Sequence, residues 1–142
     1  MEAKELMIGD KVMVKVLSQI PNTYVLHTWT ANDYYRDFQV KSIPLTPEIL
    51  EKNGFDPETF LTAEWERKVY FKEFPGCVVE PADSGKYIFG TTKYWSKTYS
   101  DGSPIDWGTM YESRIYNLQY IHELQHALRL CGLNELADNF KV

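Results

Sequence analysis

Residues 120–128 read YIHELQHAL, and the reading of this stretch decides the fold. At about 100° per residue, Asn117, Tyr120, Ile121, Leu124, Ala127, Leu128 and Cys131 share one face of a helix. The pattern predicts a helix from about Ser113 to Cys131, closed by Gly132 as its C′ residue. Its apolar face is expected to dock on a sheet. Leu124 and Leu128 then belong to the core, and His122, His126 and Arg129 fall on the opposite, outer side.

The same letters spell H-E-x-x-H. Histidines at i and i+4 project the same way from a helix and can share a zinc ion, and a glutamate between them can act as base on a metal-bound water. In this reading His122 and His126 are ligands, Glu123 is the catalytic base, and Glu135 or Asp138 completes the site after a tight reversal at Gly132. No His or Gly follows in metzincin spacing, and the remaining histidine, His27, lies on a predicted strand far upstream. The competing reading has no metal, no cofactor and no catalytic residue: two polar side chains on the outside of a helix.

Working outward, IPLTPEILEKNGF at residues 43–55 carries the clearest local signal. Thr46 is a good N-cap, Pro47 suits the first helical position, and Glu48 places negative charge at the positive end of the helix dipole. Asn53-Gly54 supplies a left-handed exit. A helix of about two turns is expected, with Ile49 and Leu50 docked on a sheet. Upstream, Val12, Val14 and Val16 alternate with Met13 and Lys15, the period of a half-buried strand. PNTYVLHTW (21–29) reads as its hairpin partner and DFQVKSI (37–43) as a third strand, together a small bent antiparallel sheet. Downstream, ERKVYFKEF (66–74) reads as a strand, CVVE and KYIFGTT as a hairpin across PADSG (81–85), KYWSKTY (93–99) as a further strand and SDGSPIDWG (100–108) as a loop. Ser84, Gly85 and Lys86 resemble a phosphate loop only superficially, since the first glycine and the following helix are missing.

The fold class expected is α+β: a mostly antiparallel sheet with a barrel-like N-terminal part, carrying one short and one long C-terminal helix. Two small β units bridged by the last helix form the alternative. A chain of 142 residues suits a single domain (1–142) with a sizeable core. Cys77 and Cys131 are isolated, which fits buried thiols better than a metal pair. The charged start and the lack of a long apolar stretch predict a cytoplasmic protein that does not enter a membrane. A net charge of −5 without a basic run argues against general nucleic-acid backbone binding, although capture of a small nucleotide stays open.

Aromatic residues make up 15% of the chain and gather in two clusters. Trp29, Tyr34 and Tyr35 stand beside Arg36; Tyr87, Tyr94, Trp95 and Tyr99 stand beside Lys93 and Lys97. On one sheet face they would clamp a nucleobase or a peptide, with Arg36 and Lys93 meeting a phosphate. Cross-strand pairing and core filling explain the same residues without a ligand.

ELMIGDKVMV (5–14), IPLTPEILEKNGF (43–55) and YIHELQHALRLCGLNEL (120–136) occur in that order. Together they make the chain resemble a family of small proteins common in gut Bacteroides genomes, phages and mobile elements. His122, Leu124 and Gln125 match that family's H-x-L-Q, while Glu123 and His126 stand where it commonly has Gln and Asn. The resemblance therefore implies that H-E-x-x-H is a local variant of a helix that holds no zinc, and it carries over no catalytic roles. The function expected is a non-enzymatic binding protein that holds a host protein, its own copy as a homo-oligomer, or a small nucleotide-like ligand. The alternative is a small zinc-dependent hydrolase.

Overall fold

The computed structural model describes residues 5–16, 23–36, 38–61, 66–72, 76–92 and 111–142. They form two compact units, Met1–Leu45 with Gln119–Val142, and Thr46–Leu118.

The first unit begins with an antiparallel sheet of β1 (Lys11–Val16), β2 (Val25–Thr28) and β3 (Phe38–Lys41) in the order β2-β1-β3. Val12 and Val14 point to the buried side, where they join Leu6 and Trp29 with Phe38 and Val40 packed alongside. Lys11, Met13 and Lys15 alternate onto the outer side, as the period of two requires. A 3-10 turn, Ala31–Tyr35, links β2 to β3.

The second unit opens with α1 (Pro47–Lys52). Its expected ends are in place: the Ile49 N–H donates to Thr46 Oγ1 at 3.3 Å, Pro47 occupies the first turn, and Gly54 leaves with φ +82°. Leu50 and the following Phe55 are fully buried. A meander follows: β4 (Asp56–Leu61), β5 (Glu66–Lys72), β6 (Cys77–Pro81), β7 (Tyr87–Thr92) and β8 (Tyr111–Leu118), each antiparallel to the next. The β6–β7 connection is a tight turn, with Ala82 N–H donating to the Lys86 carbonyl and Ser84 and Gly85 at positive φ. It is a hairpin turn, as expected, and not a phosphate loop.

The chain then returns to the first unit with α2 (Ile121–Leu130) and α3 (Asn134–Asp138), and α2 packs on β1. Leu124 and Leu128 are fully buried, and Gly132 takes φ +78° after the helix.

The α+β class holds, with two corrections. The N-terminal sheet is open, and the described residues form no closed barrel. The single long C-terminal helix does not exist: Ser113–Leu118 belong to β8, paired with β7 through Ile115–Phe89 and Leu118–Tyr87. Asn117 sits at φ +64°, a left-handed conformation that interrupts any helix, and Tyr120 is extended. No helix among the described residues is long and apolar enough to cross a membrane.

Candidate functional site

The chemistry-bearing residues of α2 converge on Asp10. This residue ends the turn before β1, where its amide donates to the Met7 carbonyl and its Oδ2 accepts from Met7 N–H at 2.8 Å. Gly9 bends the turn with φ +94°, and a Cβ there would lie 2.8 Å from Arg129 Nη2. Asp10 is 0% exposed. Its Oδ2 also lies 2.6 Å from His126 Nε2, and its Oδ1 accepts from Arg129 Nη1 at 2.6 Å. Arg129 continues to Asp138 on α3 at 3.3 Å. Burial pushes the Asp10 carboxyl up, but hydrogen bonds from His126, Met7 N–H and Arg129 outweigh it and hold it below its ordinary value. Asp10 is therefore an acceptor at neutral pH, so His126 must donate through Nε2–H.

Beside it, Gln125 is fully buried and spends its whole amide on backbone. Oε1 accepts from Lys11 N–H at 2.8 Å, while Nε2 donates to the Gly9 and Ala137 carbonyls at 3.0 and 2.9 Å. One side chain thus ties α2 to the start of β1 and to α3.

Glu123 is engaged as well. Its Oε1 accepts from the Gln119 and Tyr120 N–H groups, each at 3.0 Å, which closes the N-terminus of α2. The carboxylate that the zinc reading assigns as base is the N3 residue of a helix cap.

His122 differs from its neighbours. It is 5% exposed, stacks on Tyr120 at 5.9 Å and meets the His126 ring edge at 5.6 Å. Its Nδ1 is buried without a hydrogen-bond partner among the described residues. Burial pushes the imidazole below its ordinary value, leaving it neutral at pH 7. It lines an open cleft of about 250 Å³ with Glu5, Ser42, Tyr120 and Glu123.

The expected exposure of His122 and His126 is therefore wrong. The helical wheel marks their side as outer, but the N-terminal turn covers it. Among the described residues no group of three His, Cys, Asp or Glu side chains is placed to hold a metal. Glu135 is exposed on α3, and Asp138 pairs with Arg129. The Asp10–His126 pair has the form of an oriented base, yet no hydroxyl or thiol among the described residues is hydrogen-bonded to His126.

The first aromatic cluster is divided between the interior and the surface. Trp29 is 1% exposed and packs edge-on against Tyr34 and Phe38, so it offers no face to a ligand. Tyr34 donates its hydroxyl to the Leu6 carbonyl. Arg36 pairs with Asp33, a buried carboxylate that also binds His27 and Thr30. Tyr34 and Tyr35 are both exposed, at 41% and 92%. Of the second cluster, Lys93, Tyr94, Trp95, Lys97 and Tyr99 lie outside the described residues, while Tyr87 is buried at the start of β7.

Comparison with protein-family models, with curated proteins and with solved structures finds no match.

Proposed function

We propose that the chain is a non-enzymatic binding protein of the kind carried by Bacteroides phages and mobile elements, and that it works by holding a protein partner. The observation that carries this reading is how the helix motif is used. Glu123 serves a helix end, Gln125 serves three backbone groups and His126 serves a buried carboxylate. These are fastening roles, and they leave Glu123 and His126 little freedom to act on a substrate.

Recognition then falls to the surface of the first unit. Tyr24, Val25 and Leu26 stand exposed along its sheet, and Met7, Ile8 and Leu130 are exposed around the Asp10 turn and the end of α2. Exposed apolar side chains held on a braced frame suit a preformed protein-binding surface.

Chemical cross-linking in a Bacteroides host, followed by native mass spectrometry of the purified protein, tests the proposal. A stoichiometric protein partner, or a second copy of the chain, is expected. A monomer with no cross-linked partner overturns it, and stoichiometric zinc with hydrolase activity would put the metalloenzyme in its place.

A further inference from the structure

We propose that the outer face of the β2-β1-β3 sheet is a docking surface for an extended acidic segment of the protein partner, an inference that rests on the binding-protein reading above. The chain as a whole is acidic, with 20 Asp and Glu against 15 Lys and Arg. This face inverts that balance. The strand register sets Lys11 opposite Thr28, Met13 between Leu26 and Lys41, and Lys15 opposite Gln39. Continuing the β1–β2 register by one residue brings Tyr24 beside Lys15. Among the described residues, every charged residue on the face is therefore a lysine.

None of the three is paired with a carboxylate of the described residues. Lys15 Nζ and Lys41 Nζ lie 5.1 and 5.8 Å from the centre of the Tyr24 ring, and Lys11 Nζ donates to Thr28 Oγ1. No carboxylate among the described residues is within ion-pair distance of any of them. Two ammonium groups gathered over one ring repel each other, and an anion between them relieves that repulsion. Leu26 and Tyr24 remain exposed beside the charges, so the surface is cationic around an apolar strip.

The edge adds direction. Among the described residues β2 pairs only with β1, which leaves one side of its backbone available to a further strand. A segment added there would present alternate side chains over Tyr24 and Leu26, so a pattern of carboxylates alternating with other residues meets the lysines. Nucleic acid fits less well. Among the described residues Tyr24 is the only aromatic ring on the face and is already covered by two ammonium groups, so successive bases find no stacking ladder. The net charge of −5 also repels a polyanion at a distance.

Fluorescence anisotropy with the full chain tests the surface at low salt. The probes are a labelled peptide alternating glutamate and valine, its lysine–valine counterpart, and a labelled oligothymidylate. Sedimentation with vesicles of phosphatidylserine in phosphatidylcholine covers a membrane surface. The glutamate peptide is expected to bind in preference to all the others. Reversing both charges, Lys15→Glu with Lys41→Glu, should weaken it at least about tenfold, a loss of two close charge contacts. Lys68→Glu in the second unit should leave binding unchanged, and both variants should keep the wild-type circular dichroism. The proposal falls if the double variant binds the glutamate peptide as well as wild type, or if the oligothymidylate or the vesicles bind more tightly. If the peptide fails to bind while the cross-linked partner persists, the binding-protein reading stands and this face is not its site. If neither binds, both are lost.

Discussion

Replacing Asp10 with alanine strikes the centre of the first unit. The change removes an acceptor for Met7 N–H, for His126 and for Arg129, three bonds of 2.6–2.8 Å. Hydrogen bonds involving a charged partner contribute about 1.5–3 kcal/mol each and a neutral one about 1 kcal/mol. Arg129 keeps its contact to Asp138 and a little solvent exposure, so part of its loss is offset. Leaving a buried charge without its partner typically costs about 3–5 kcal/mol, and that is the loss expected here. In a chain of this size it lowers Tm by roughly 10–15 °C. Amide hydrogen exchange read by mass spectrometry resolves the loss segment by segment and is the better assay. Protection should fall over Lys11–Val16 and Ile121–Leu130 and survive over Cys77–Thr92. The pH dependence has a definite sign. The folded carboxyl titrates below its ordinary value, so its contribution is present at neutral pH and is lost as pH falls from about 4 through the folded value. Asp10→Asn should be less stable than wild type at pH 7, with the gap narrowing in acid. A loss below about 1 kcal/mol for Asp10→Ala, or a gap that widens in acid, would refute the reasoning.

Gln125→Leu should cost about 2–4 kcal/mol in urea unfolding, since it strands the Lys11 N–H and the Gly9 carbonyl and leaves the Ala137 carbonyl only its contacts with the backbone after α3. His122→Phe should be close to neutral in the same assay, because the ring stays stacked on Tyr120 and a buried, unpartnered nitrogen is removed. Thr46→Ala should cost about 1 kcal/mol through the lost cap of α1, with hydrogen exchange rising only in the second unit.

Much of this fold can be read from local chemistry. The β1 alternation, the β6–β7 hairpin and the caps of α1 each follow from residues adjacent in the chain. β4 hides because Asp56, Pro57, Glu58 and Thr59 carry no strand pattern, and its pairing with β5 is what makes it a strand. β8 was disguised by coincidence: Asn117 falls in phase with the true helix, so the period of 3.6 extends across a joint where the backbone turns left-handed. The candidate site was less legible for a different reason. Asp10 lies 116 residues from His126 in sequence, and a helical wheel cannot show that a distant turn covers its polar side. One usable signal existed, the glutamate three residues after Tyr120, which marks a helix start whatever else it spells.

The role of His126 can be measured directly by long-range 1H–15N correlation of the imidazole rings at neutral pH, recorded before and after adding zinc. The fastening account predicts a protonated Nε2 on His126, shared with Asp10, and no change in the His122 or His126 signals when zinc is present. An unprotonated Nε2 on His126, or stoichiometric zinc shifts on both histidines, would contradict it.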